Sequence, residues 1–283
     1  MQATIQYIRR ELYPSRPEEE IRELIKLIFW ALRGYSLTDF YLNQQEHLTP
    51  EERDQVVEMV SRLKKPEPVQ YVIGQTEFFG MILRVNPHVL IPRPETEELV
   101  KWVITEQKYS PSSILDIGCG SGCMALALKK AFPAAGVRGC DISSDALLTA
   151  RNNASFNRLE VGFFEADILN WPAYLHWGEA ELIVSNPPYV TEKEKQFMNS
   201  NVLDYEPHLA LFVPDKDPLL YYRHIAEFAL RWLSGSGQLY FEVNEHYGSE
   251  VVNLLVHLGF TGVIIRKDFR GKERMVRALK NQT

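Results

Sequence analysis

The sequence predicts an α/β protein: a doubly wound, mostly parallel sheet of seven strands, preceded by a helical bundle and a connecting β-hairpin. Three observations lead there. Short apolar runs alternate with helical patterns from residue 113 to the end, which is the signature of strand–helix–strand units. The first seventy residues carry only helical periodicity. Between them lies a short stretch of alternating strand residues about a glycine.

In chain order, Pro17 followed by Glu18, Glu19 and Glu20 reads as a helix start, because acids in a first turn meet the positive end of the helix dipole. Ile21, Leu24, Ile25, Ile28 and Leu32 then recur at helical spacing until Gly34 stops the run. Thr49-Pro50-Glu51-Glu52 has the spacing of a capping box, Val56, Val60 and Leu63 continue that helix, and Pro66 and Pro68 end it. Glu77 to Val85 reads as two short strands about Gly80. The expected division is a helical substrate-docking domain over residues 1–74, a hairpin linker over 75–92 and a catalytic domain over 93–283.

Within the last of these, Ile114–Ile117 is the first strand, followed by a helix over Met124–Ala131. Val137–Cys140 is the second strand, ending in Asp141, with a helix near Asp145–Asn153. Val161–Phe164 is the third, ending near Asp167, and Leu182–Val184 the fourth. A helix over Leu219–Leu233 precedes the fifth, Gln238–Val243. The sixth lies near Val263–Arg266 and the seventh near Met275–Leu279.

Composition bounds the function. Among 283 residues, 45% are hydrophobic and 24% charged, ordinary for a soluble globular chain of two domains. No apolar run reaches the length of a membrane span, and Arg9, Arg10 and Glu11 interrupt any early apolar run of a secretory leader. Three cysteines form no disulfide framework and no CxxC is present, so no metal site is expected and a reducing cytoplasm is the expected location. The net charge of −6 argues against direct nucleic-acid binding, which needs a basic footprint. There is no internal repeat, and a monomer is the expectation.

Gly118, Gly120 and Gly122 stand where a strand turns into a helix and permit close backbone approach to a ligand, with Cys119 and Ser121 between them. Asp141, nineteen residues after Gly122, is placed to grip a ribose diol. A dinucleotide fingerprint needs glycine at position 123, which is Cys123 here. Asp167, beside Ile168 at the end of the third strand, can accept from an adenine amino group. Ribose and adenine without pyrophosphate point to S-adenosylmethionine.

Asn186-Pro187-Pro188-Tyr189 ends the fourth strand abruptly, since two prolines supply no backbone N–H. Asn186 Oδ1 and the Pro187 carbonyl can each accept one hydrogen of a flat –NH2 group, and the Tyr189 ring can cover one face of it. The competing view is a proline turn that merely closes a strand.

Leu115 to Gly122 resembles the first motif of the class I S-adenosylmethionine methyltransferases, and Asn186 to Tyr189 resembles the subset that methylates amino groups. Ile91-Pro92-Arg93-Pro94-Glu95-Thr96-Glu97 and Tyr205-Glu206-Pro207-His208-Leu209-Ala210-Leu211 are similar to stretches of the HemK/PrmC family. The resemblance covers essentially the whole chain. It implies a Rossmann-like methyltransferase sheet and methylation of a glutamine side-chain amide (N5) in peptide chain release factors. It also implies a glutamine pocket built from Asn186, Pro187, Pro188, Tyr189 and the Arg93 region. The chain departs from the family pattern at Val213-Pro214-Asp215, at Glu242-Val243-Asn244-Glu245-His246, and at Cys119 and Cys123. The alternatives are an N6-adenine methyltransferase of DNA or RNA, a non-catalytic binding module, and a nicotinamide dehydrogenase.

Overall fold

The computed structural model describes residues 1–173 and 177–281, which cluster into two compact units. One comprises residues 1–75 with 199–205, the other 76–198 with 206–283. The expected uninterrupted span from 93 onward is thus broken by a short segment that packs with the helices.

The helical unit is built on one apolar cluster that includes Ile8, Leu12, Ile21, Leu24, Ile25, Ile28, Phe29, Val56, Val60 and Leu63. The helix Glu18–Arg33 ends on Gly34 at φ 69°, a left-handed cap that glycine adopts at little cost. Pro50–Leu63 opens on a capping box: Thr49 Oγ1 accepts from Glu52 N at 3.2 Å, and the Glu52 carboxylate accepts from Thr49 N at 2.7 Å.

The strands are β1 Gln75–Phe78, β2 Met81–Arg84, β3 Ser113–Ile117, β4 Gly136–Asp141, β5 Gly162–Glu165, β6 Ala180–Ser185, β7 Val190–Thr191, β8 Phe212–Val213, β9 Leu233–Glu242, β10 Thr261–Lys267 and β11 Glu273–Leu279. β1 and β2 form the hairpin, and β7 and β8 a short parallel pair. The other seven form one sheet in the order β10-β11-β9-β6-β3-β4-β5. β11 runs antiparallel to both neighbours, while β9, β6, β3, β4 and β5 are mutually parallel.

Alternating residues of the central strands feed the two faces. Leu115, Ile117, Ile183, Leu239 and Phe241 pack under the helices Leu220–Trp232 and Gly248–His257. Ile114, Leu182, Val184 and Tyr240 pack under Pro94–Glu106 and Cys123–Ala131. Strands buried on both faces read as continuous apolar runs, which is why Leu182-Ile183-Val184 was legible. From β3 the chain winds one way to β4 and β5, and from β6 the other way to β9. In an open sheet, ligands bind beyond the carboxyl ends of the strands where the order reverses. Here that point lies between Ile117 and Ser185, which are register partners. No described helix is long and apolar enough to cross a membrane.

Candidate active site

A cavity of about 410 Å³ opens at that reversal. Its walls include Gly118, Cys119, Gly120, Ser121, Asp141, Asp167, Ile168, Asn186, Pro187 and Pro188, so the sheet brings the expected cofactor and amide residues to one place.

The glycine loop is shaped by backbone conformation. Gly118, Gly120 and Gly122 hold φ of 72°, 52° and 80°, all left-handed. At Gly122 space is also short, since an added Cβ would lie 3.1 Å from Phe163 Cζ and 3.2 Å from Ala150 Cβ. The Gly118 and Cys119 amides both donate to the Cys140 carbonyl at 2.9 Å, tying the loop to the end of β4.

Asp141 fastens this region from its other side. Its Oδ2 accepts from Gly120 N at 2.8 Å and its Oδ1 from Ser143 N at 2.9 Å. Burial pushes its carboxyl above the usual range, opposed by these backbone donors. Asp167 Oδ1 accepts from Leu169 N at 2.9 Å, which turns the chain along the cavity wall. Asp116, fully buried below the loop, accepts from Ala125 N at 3.0 Å, and burial raises it to about 7.

At the end of β6, Asn186 Nδ2 donates to Thr96 Oγ1 at 3.3 Å. Among the described residues, none donates to Asn186 Oδ1 or to the Pro187 carbonyl, although both residues line the cavity. Two adjacent acceptors without donors are an arrangement for a ligand that brings two hydrogens.

Tyr189 and Arg93 are placed differently from the expectation. Neither is among the cavity-lining residues. Tyr189 donates its hydroxyl to Glu242 Oε1 at 3.1 Å, and burial together with that carboxylate holds the phenol protonated. Its backbone N–H donates to the Leu211 carbonyl at 3.2 Å. Arg93 donates to Glu206, which is buried and also accepts from Ile91 N at 3.3 Å, so Arg93 joins two loops of the wall.

Sequence reasoning gave no role to Thr96, Glu242, Ile142 or Tyr221. Thr96 and Glu242 lay within singled-out stretches but are individually unremarkable types. Ile142 and Tyr221 line the cavity, yet no local pattern sets them apart from core residues. Two of the departures from the family pattern, Asn244 and Asp215, support loops. Asn244 Nδ2 donates to the Tyr189 carbonyl at 3.0 Å, and Asp215 accepts from Lys193 N at 3.0 Å. All three cysteines are free, and burial pushes each thiol up, Cys123 to about 12, which leaves them unsuited to nucleophilic work.

The residues fit S-adenosylmethionine. The loop and both carboxylates offer partners for a ribose and an amino group, while Leu90, Ile142, Ile168 and Tyr221 offer apolar surface to a purine. No Lys or Arg lines the cavity among the described residues, which suits a sulfonium cation better than a pyrophosphate.

Residues 96–204 match the family model described as methyltransferase small domain. A methyltransferase from Pyrococcus furiosus shares the fold, with a TM-score of 0.53 at 19% identity over 72% of this chain and 90% of its own. The fold is that of the Pyrococcus furiosus protein, and the matched family model together with the curated relatives below makes this chain a methyltransferase. Residues 4–74 match the PrmC N-terminal domain. Release factor glutamine methyltransferase of Flavobacterium psychrophilum is 44% identical over 264 residues, 92% of each chain. That of Bacteroides thetaiotaomicron is 43% identical over 279 residues, 96% of this chain and 97% of its own. The chain belongs to the release factor glutamine methyltransferase family.

Proposed function

We propose that Asn186 Oδ1 and the Pro187 carbonyl receive the two hydrogens of a glutamine side-chain amide, and that Gly118 to Gly122, Asp141, Asp167 and Ile168 hold the methyl donor beside it. The reaction is transfer of a methyl group from S-adenosylmethionine to the N5 nitrogen of a glutamine in a peptide chain release factor. The single observation that carries the residue assignment is the pair of donor-free acceptors on the cavity wall, at the end of the strand next to the glycine loop.

S-adenosylmethionine supplies an electrophilic methyl group on a sulfonium. The protein must do the rest by placement. An amide nitrogen is a poor nucleophile because its lone pair is delocalised into the carbonyl. Holding both N–H bonds at Asn186 and Pro187 fixes the remaining direction of attack, which is catalysis by positioning. The same oxygens stabilise positive charge as it develops on that nitrogen. The new N–C bond would use the nitrogen's electron pair as the methyl–sulfur bond breaks and its pair returns to sulfur, leaving a neutral thioether, and one nitrogen hydrogen would then leave as a proton. An alkylated, protonated amide is acidic enough to lose it without a strong base. Asp141 is assigned to the ribose and Asp167 to the adenine amino group.

Release factors work in translation, so the cytoplasm is the compartment that this substrate requires. Adenine also presents a flat –NH2, but the chain's net charge of −6 disfavours a nucleic-acid substrate. The test is to incubate the chain with labelled S-adenosylmethionine and a release factor, then locate the methyl by fragment mass spectrometry. A single methyl on a glutamine side chain is expected. Transfer to adenine in DNA or RNA, with none to the protein, would refute the reading.

A further inference from the structure

Beneath Asn186 lies a hydrogen-bonded chain that ends on a buried carboxylate. Thr96, 2% exposed, stands in the first turn of the helix Pro94–Glu106, and Glu242, 1% exposed, ends β9 beside β6. Thr96 Oγ1 donates to Glu242 Oε2 at 2.6 Å, and Tyr189 donates to the other oxygen at 3.1 Å. Asn186 Nδ2 reaches Thr96 Oγ1 at 3.3 Å.

A threonine hydroxyl has one hydrogen. Glu242 takes it, so only lone pairs of Thr96 face Asn186, and only the NH2 end of the amide can meet them. A flipped Asn186 would set its oxygen against the hydroxyl oxygen. A carboxylate this deeply buried is costly, and among the described residues no cation pairs with it directly. Arg274 lends it opposite charge from a distance but bridges to Glu245 and Asp268. An apolar side chain would fill the same space at lower cost.

We propose that Thr96 and Glu242 are positioning residues for methyl transfer: Glu242 orients the Thr96 hydroxyl, and Thr96 locks the Asn186 amide so that an entering glutamine meets an acceptor instead of a donor. Glu242 also ties down Tyr189, so one carboxylate fixes both ends of the Asn186–Tyr189 turn. This inference rests on the glutamine-methylating function proposed above.

The experiment is a double-mutant cycle read as kcat and KM on a release factor, with S-adenosylmethionine affinity measured by calorimetry for every variant. Thr96→Val keeps the shape and removes the lone pairs. It should lower kcat about ten- to hundredfold, somewhat less than removal of a direct catalytic dipole, with cofactor affinity within about twofold. Thr96→Ser should restore turnover to within a few-fold. In an Asn186→Ala background, Thr96→Val should cost almost nothing further, because it acts through the missing amide. Glu242→Met gives a second route. Methionine in place of Glu242 removes the acceptor of both hydroxyls, so the Thr96 hydrogen is no longer held away from Asn186 and kcat should fall.

Equal losses from Thr96→Val with and without Asn186 would overturn the proposal, as would Thr96→Val or Glu242→Met turning over within about twofold of the parent. A parent chain that binds S-adenosylmethionine but methylates no release factor would instead overturn the functional reading, and this inference with it.

Discussion

Replacing Asp141 by asparagine should weaken S-adenosylmethionine binding despite near-identical shape. Each carboxylate oxygen of Asp141 holds one backbone N–H, Gly120 at 2.8 Å and Ser143 at 2.9 Å. An amide has one oxygen. Whichever way the new side chain settled, one of those N–H groups would face an NH2. A charge-assisted hydrogen bond contributes roughly 1.5–3 kcal/mol, and partial exposure places this one toward the lower figure. With about 1.4 kcal/mol per decade of affinity, Kd should rise about ten- to hundredfold. Asp141→Ala removes both acceptors and should weaken binding further. Isothermal titration with S-adenosylmethionine near neutral pH measures it directly, with a melting curve to register any loss of fold. Burial raises the Asp141 carboxyl, so its negative charge is lost at a higher pH than an exposed aspartate's, and the parent's affinity should decline on acidification accordingly. A Kd for Asp141→Asn within twofold of the parent would show that the carboxylate neither shapes the loop nor meets the ligand.

Two further outcomes concern the loop and its buried acid. Gly122→Ala forces an L-residue to φ 80° against Phe163 and Ala150, so it should cost at least the roughly 1–2 kcal/mol of a left-handed residue. The melting temperature should then fall by about 2–4 °C per kcal/mol, and an unchanged melting curve would refute the steric reading. Asp116 rises from 3.8 to about 7, so between those values the folded state binds more protons than the unfolded one. Its contribution to stability therefore falls as pH rises through that window and is flat above it. Asp116→Asn should flatten the pH dependence of melting over the same window relative to the parent. A difference curve without slope there would contradict the assignment.

Much of the sheet was legible because its central strands are buried on both faces. Leu182-Ile183-Val184 and Ile114-Leu115 stand out as apolar runs for that reason, and the prolines after Asn186 mark the strand's end without ambiguity. The glycine loop was legible because left-handed backbone demands glycine. β9 begins at Leu233, five residues before its expected start at Gln238. The Ser234–Gly237 stretch carries turn composition and falls where the register with β6 shifts, between the pairs Ala180–Leu233 and Leu182–Gln238, so the regular ladder resumes at Gln238. The segment 199–205 was illegible as part of the helical unit, since packing across the chain leaves no local signature. At the site, Thr96 and Glu242 escaped because their meaning lies in hydrogen bonds spanning 146 residues of sequence. Arg93 drew attention as a cation between prolines, but its partner Glu206 makes it a brace in the wall.

The most direct measurement is methyl transfer to a release factor by Asn186→Ala, with S-adenosylmethionine affinity determined separately on the same protein. The substitution removes one of two donor-free acceptors while leaving Asp141, Asp167 and the glycine loop in place. Loss of one oriented polar group in a closed site typically costs about 10²–10³ in rate, so turnover should fall by that factor while cofactor affinity stays within a few-fold. Asn186→Asp should not restore it fully, because a second negative oxygen would face the lone pairs of Thr96. Normal cofactor binding together with turnover within a few-fold of the parent would contradict the role of Asn186, leaving it as a strand cap and placing the amide acceptor elsewhere in the cavity.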